Sequence, residues 1–179
     1  MNQRLSKDGR FGAEKMILHL SQNDPFTPIV DAWNQNSKTL LPSVEKEQKE
    51  NIRKIRSHIL SNRQPPYSIT GGVYDALSDS KGRMYAISND EALRAGSLFQ
   101  RAEGCDLDPA GEVALASLAR ALEPGRIGKK DLILLKLTGE GYSLIRQTKK
   151  MLPMEPDIVF SLSDLENKNR VDQLIKELY

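Results

Sequence analysis

Several familiar signals are scarce in this 179-residue chain. It holds one cysteine, Cys105, so no internal disulfide framework can form. With no secretory leader pattern in the residues given, that predicts a reducing, cytoplasmic compartment. No apolar run approaches the roughly 20 residues that a membrane helix needs, which predicts a soluble protein without a membrane partner. The net charge is only +2 and the two signs are interspersed, so neither a basic patch for nucleic acid nor an acidic tail stands out. The two histidines, His19 and His58, are far apart and one cysteine gives no metal-ligand spacing; each is expected to be an isolated structural residue. A nucleophile elbow, a paired-carboxylate signature and a dinucleotide fingerprint are also lacking. Cys105 is expected to be a small buried residue rather than a nucleophile.

What is present is an alternation of short apolar runs and amphipathic stretches, the pattern of an α/β domain. The length suits one domain, and 39% hydrophobic residues suffice for a core. Residues 1–12 are polar and carry no element. Residues 16–20 (MILHL) read as a core strand, followed by a polar exit at 21–24. Asp24 and Pro25 then open a helix with Phe26, Ile29, Val30 and Trp33 on one stripe. Residues 44–60 read as a charged helix with Ile52, Ile55 and Ile59 inside, and with Glu45–Lys49 and Glu50–Lys54 at ion-pair spacing. Its cations Arg53, Lys54, Arg56 and Arg63 suit a solvated face better than a phosphate cluster. Residues 61–72 are loop-like. Residues 83–87 (RMYAI) read as a second strand, and Ser88 with Glu91 has capping-box spacing for the helix that runs to Gly104.

The stretch 104–142 is the most informative. Asp108 can cap a helix, Pro109 suits its first position, and Val113, Leu115, Ala116, Leu118, Ala119 and Leu122 give it an apolar surface, with Gly125 at its end. Residues 131–137 (DLILLKL) are almost uninterruptedly apolar and predict a strand buried on both faces of a parallel sheet. It stops at Thr138-Gly139-Glu140-Gly141, and ligands of open α/β sheets sit beyond strand carboxyl ends. Residues 142–151 read as helical, Pro153 and Pro156 as breaks and 158–160 as a strand. Ser163 and Glu166 start a last helix carrying Val171, Leu174, Ile175 and Leu178.

The ordered series AISNDE (86–91), Glu103-Gly104, DPAG (108–111), the alanine- and leucine-rich helix after it and LTGEG (137–141) resembles the C-terminal part of threonine synthase and its relatives. These are pyridoxal-phosphate enzymes of the tryptophan synthase β-like fold, fold type II, with a three-layer sheet domain. Within that group, SQNDPFTPIVDAW and SNRQPPYSITGGVYDAL resemble the cysteate synthase branch, which replaces the phosphate of phosphoserine by sulfite on the way to coenzyme M. Threonine synthase itself, acting on phosphohomoserine, is the alternative within the family; a non-catalytic α/β binding module is the alternative outside it.

The resemblance implies that the hydroxyl of Thr138, beside Gly139, meets the pyridine nitrogen of pyridoxal 5'-phosphate. It places Asp108 near the cofactor, where relatives usually have Glu, so helix capping explains this residue equally well. It also makes Ser61, Asn62 and Arg63 candidates for the anionic end of a small amino-acid phosphate. The family's Schiff-base lysine and glycine-rich phosphate loop have no counterpart here, and Gly71-Gly72 lacks a following helix signal. The chain is therefore expected to be the latter part of a single α/β domain. It should be inactive alone, be completed by an N-terminal portion and have a tendency to form homo-oligomers.

Overall fold

The computed structural model of the chain describes residues 7–10, 12, 15–123, 127–128, 130–150, 152 and 154–177. The expectations placed on Gly125, Met151, Pro153 and Leu178, and on most of residues 1–12, lie outside those residues or rest on them. The chain divides into two compact units, Met1–Ile145 and Arg146–Tyr179. The first is α/β: strand β1 (His19–Asn23), helices α1 (Pro28–Asn34), α2 (Glu45–Lys54) and α3 (Val73–Ser80), strand β2 (Arg83–Ile87), and helices α4 (Asn89–Glu103) and α5 (Pro109–Leu122). The short helix α6 (Ser143–Thr148) follows, and the second unit holds α7 (Leu162–Leu165) and α8 (Lys168–Lys176). β1 and β2 pair in parallel, with His19 opposite Arg83 and Asn23 opposite Ile87. Helices α1 and α5 both lie against this pair, and α4 packs on α5.

The core joins the sheet to α4 and α5 through Tyr85, Ile87, Ala92, Val113, Ala116 and Ala121. A second nucleus is aromatic. The ring of Tyr67 meets Tyr74 edge-on at 5.8 Å, Tyr74 meets Trp33 at 5.7 Å, and the Tyr67 hydroxyl donates to the Ser37 carbonyl at 2.8 Å. Such edge-to-face pairs suit the positive ring edge and negative ring face. β2, α4 and the α5 start occur as the sequence predicts, including the Ser88–Glu91 capping box and the Asp108 cap with Pro109 in the first turn.

Other expectations are corrected, and tertiary partners explain why. The first strand is displaced from 16–20 to 19–23, because β2 begins at Arg83 and leaves Met16 and Ile17 exposed ahead of the ladder. The predicted polar exit is thus the end of the strand itself. Gln22 is buried there, and its side-chain oxygen accepts from the amides of Ile29 and Val30 at 2.8 and 3.1 Å. It serves the first turn of α1, which begins at Pro28 rather than at the cis Asp24–Pro25 bond. Helix α2 stops at Lys54 and not near Leu60; Ile55 is buried, but Ile59 is 81% exposed. Gly72 does open a helix, α3, contrary to expectation; yet the amide of Gly71 is taken by the Asp75 carboxylate at 2.7 Å, so the turn serves itself.

Residues 131–137 form no strand. Leu132 is fully exposed and Leu134 is 80% exposed, because the segment finds no sheet edge to complete its ladder. Residues 158–160 are irregular as well, and the last helical stretch is two helices capped by Ser161 and Asn167 instead of Ser163 and Glu166. Of residues 142–150, Ser143–Thr148 are helical. Cys105 is half-buried.

The capping box makes stability pH-dependent. Burial alone would raise the Glu91 carboxyl, but hydrogen bonds from the side chain and amide of Ser88 and from Arg120 outweigh it and hold the group below its ordinary 4.5. A lowered folded-state pKa contributes stability that is present above 4.5 and is lost as pH falls through the lower folded value. Ser88→Ala should therefore cost about 1 kcal/mol at neutral pH, typical of an N-cap, and flatten the acid limb of the stability curve. Urea unfolding of both chains between pH 7 and pH 3 would measure it.

Candidate functional site at the carboxyl ends of the strands

Because Asn23 lies opposite Ile87, both strands end level, and a polar cluster occupies that edge. Asn23 is its hub, with no exposed surface. Its amide group donates to the Ile87 carbonyl at 2.9 Å and to the Asn89 side-chain oxygen at 3.1 Å. Its own oxygen accepts from the amides of Arg56 and Ser57 at 3.0 and 2.9 Å. Asn89 adds a clamp: its oxygen accepts from the Arg56 amide at 2.9 Å, and its amide group donates to the Lys54 carbonyl at 2.8 Å. These bonds explain why α2 ends where it does. Two asparagines at the strand ends take backbone groups that a longer helix would have used internally.

Arg56 also closes the cluster from the side. Its guanidinium holds the buried carboxylate of Glu112 on α5 through two bonds, at 2.7 and 3.2 Å. The Glu112 bond raises the Arg56 pKa against the opposing effect of burial. Gly96 on α4 makes room for this pair, since a Cβ there would lie 2.6 Å from Glu112 Oε1. The Ser57 hydroxyl oxygen is buried at the same edge with no hydrogen-bond partner among the described residues.

The sequence-selected residues fall into two groups. Asp108, Gly139 and Thr138 are brought together: the Asp108 amide donates to the Gly139 carbonyl at 3.4 Å, and a side chain at Gly139 would collide with the Asp108 carboxylate. One turn further along α5 from Asp108 stands Glu112, which ties this group to the strand edge through Arg56. The Asp108 carboxylate accepts from the Gly111 amide at 2.6 Å, as a cap should. Thr138 is exposed at the following bend. An antiparallel bridge between Leu107 and Glu140, and a bond from the Gly141 amide to the Asp106 carbonyl at 2.9 Å, hold the bend in place.

Ser61, Asn62 and Arg63 form the second group, a few residues beyond the clamped segment 54–57. They line a shallow open depression with Glu45, Gln48 and Gln64. There Arg63 pairs with Glu45 at 3.2 Å, Asn62 accepts from the Gln64 amide at 2.9 Å, and Ser61 donates to the His58 carbonyl at 2.5 Å. Of the four cations weighed as a cluster, Arg56 and Arg63 are thus committed to carboxylates, and Glu45 also pairs with Lys49 at 2.9 Å as predicted. His19 stacks on Tyr85 and shares a 2.8 Å hydrogen bond with its hydroxyl, a structural role. Asn23, Asn89 and Glu112 were not legible as site residues. The one signal that could have found Glu112 is a carboxylate placed among the alanines of an apolar helix.

For pyridoxal phosphate, the residues fit one anchoring role. The exposed Thr138 hydroxyl can donate to a ring nitrogen, while the space that a side chain at Gly139 would fill is taken by the Asp108 carboxylate. Among the described residues no group of His, Cys, Asp and Glu could hold a metal ion, and no helix is long and apolar enough to cross a membrane.

No protein-family model matches the chain. Individual relatives do match. The chain is 44% identical over 163 residues to the cysteate synthase of Methanosarcina acetivorans, covering 90% of this chain and 39% of that protein. It is 48% identical over 155 residues to that of Methanoculleus marisnigri, covering 86% and 36%, and 46% identical over 156 residues to that of Methanoregula boonei, covering 87% and 37%. The resemblance to the cysteate synthase branch is therefore real and extends along nearly the whole chain, while the chain spans under two fifths of the length of the curated relatives it matches.

Proposed function

We propose that this chain is the C-terminal part of a cytoplasmic, pyridoxal-phosphate-dependent cysteate synthase of fold type II. The complete enzyme would exchange the phosphate of O-phospho-L-serine for sulfite. The observation that carries this reading is the similarity, at 44% identity over 90% of the chain, to a protein of that name. Relatives named cysteate synthase recur in five further methanogen genera among the matches, which favours this reading over threonine synthase.

Pyridoxal phosphate, when bound, supplies an electron sink for the amino acid's α-carbon. This chain's part is to hold and tune. The Thr138 hydroxyl donates to the ring nitrogen. Since a hydroxyl cannot stabilise a protonated ring as a carboxylate would, the sink is mild, which suits replacement at the β-carbon over transamination. Asp108 acts by capping α5 and seating Gly139, which fixes the bend that presents Thr138. Arg63 exchanges the exposed Glu45 carboxylate for the anionic end of the substrate, with Ser61 and Asn62 as donors beside it. The Schiff-base lysine and the phosphate loop belong to an N-terminal portion that completes the single α/β domain. That portion, or a second copy, would cover the exposed residues 132–134.

The complete enzyme should form cysteate from phosphoserine and sulfite, and no threonine from phosphohomoserine. Thr138→Ala should lower kcat by about tenfold, the value of one hydrogen bond to a charged or conjugated group, while Thr138→Ser should restore it. Unchanged kcat in Thr138→Ala would remove the assignment. Borohydride reduction of this chain alone with pyridoxal phosphate should leave no specific pyridoxyl-lysine.

A further inference from the structure

We propose that Asn89 and Asn23 are positioning residues for the Ser61–Arg63 loop, acting through the backbone of residues 54–57 and touching no substrate themselves. The inference rests on the reading of that loop as the substrate's anion site.

The physical argument is one of leverage. Helix α2 ends at Lys54, and the loop begins seven residues later, after the 3-10 turn His58–Leu60. Among the described residues the backbone bonds of that turn are local, from the Leu60 amide to the Ser57 carbonyl and from the Ser61 amide to the His58 carbonyl, and His58 and Ile59 are exposed. Leu60 is half-buried and packs against the core, so the turn is fixed at its end by that contact and at its start by the segment before it. That segment is held by four hydrogen bonds to two side chains: the Arg56 amide is shared by Asn23 and Asn89, the Ser57 amide goes to Asn23 and the Lys54 carbonyl accepts from Asn89, while a further bond joins Asn23 to Asn89. Asn23 is the last residue of β1 and Asn89 the first of α4, directly after β2, so both sit on regular elements. They convert the position of the sheet's carboxyl edge into the position of the loop.

A carboxamide is the side chain this task requires. Asn23 accepts from two backbone amides and donates to a carbonyl and to Asn89, Asn89 accepts from one amide and donates to a carbonyl, and Asn offers both functions where Asp offers only acceptors at neutral pH. Arg56 contributes through its backbone amide here, so its ion pair with Glu112 is a separate support.

The test uses Asn89, which is only half-buried and at the first turn of α4, so that its loss leaves the core intact. In Asn89→Ala, hydrogen exchange at the amides of residues 56–64 should speed by about tenfold, while exchange in α4 and α5 stays as in the parent chain. In the complete enzyme the same variant should raise KM for phosphoserine by about tenfold with kcat nearly unchanged, a pattern that reports lost ground-state positioning and not a smaller folded fraction. Asn89→Asp, which keeps the acceptor for Arg56, should fall between the two. Arg63→Ala separates the premises: if it raises KM and Asn89→Ala does not, the positioning role is wrong; if Arg63→Ala leaves KM unchanged, the substrate-loop reading is wrong. Unaltered exchange at residues 56–64 in Asn89→Ala would overturn the proposal by itself, whatever the enzyme's substrate proves to be.

Discussion

Asn23→Ala should lower the stability of the chain by about 3 kcal/mol, because it takes the acceptor from the buried Ser57 amide and removes the bonds to Arg56, Ile87 and Asn89 as well, each lost bond costing about 1 kcal/mol. The Ser57 amide has the Asn23 oxygen as its acceptor, and the Ile87 carbonyl accepts from the Asn23 amide group. The Arg56 amide is less affected, since Asn89 also accepts from it at 2.9 Å. No water can replace the lost bonds easily at a residue with no exposed surface. Asn23→Asp is the informative comparison: it keeps an acceptor for the two amides but loses donation to Ile87 and Asn89, so it should be damaging at neutral pH and milder when the new carboxyl is protonated. Urea midpoints of the three chains at pH 7 and at pH 4 would decide it. Equal midpoints for the parent and Asn23→Ala would show that the cluster contributes nothing to folding.

The second large effect is expected at Gly96. It is buried in the middle of α4, where glycine ordinarily costs about 1 kcal/mol relative to alanine. Propensity alone would make Gly96→Ala stabilising. The structure reverses the sign, since the new Cβ would stand 2.6 to 2.9 Å from three atoms of the Glu112 side chain. That side chain cannot yield freely, because Arg56 holds it by two bonds in a site where it is nearly buried. Gly96→Ala should therefore destabilise by about 2 kcal/mol, the usual scale for forcing an extra carbon into a packed contact and disturbing a buried charge pair. In a Glu112→Ala background the obstacle is gone, and the same change should stabilise by roughly 0.5 to 1 kcal/mol through helix propensity. A double-mutant cycle by chemical denaturation reads this reversal directly. Without a change of sign, the close packing of Gly96 on Glu112 is not what governs the position.

Where the signals were local, the sequence was sufficient. Ser88 with Glu91, Asp108 before Pro109, and the short run at 83–87 with Met84, Tyr85 and Ile87 each carry their own short-range chemistry, and the structure places those elements where the chain says they begin. The joining of Thr138-Gly139 to Asp108 was foreshadowed only by the ordered motifs of the resemblance, because no local rule brings residues thirty positions apart into contact. The apolar run 131–137 shows the opposite limit. Its pattern states a preference for a buried strand, yet a strand is a relation between two chains' backbones, and without a neighbouring edge the preference has nothing to act on.

The amino-acid order by itself therefore determined the α/β class, the capped helices, the second strand and the family likeness, since each depends on residues near one another in the chain. Only the tertiary structure decided that polar Gln22 and Asn23 are buried at a strand end, that α2 breaks at Lys54, and that Arg56 reaches Glu112. Those outcomes turn on whether a distant side chain offers a better hydrogen bond than the local backbone does. That comparison becomes possible only when the fold has brought both partners together.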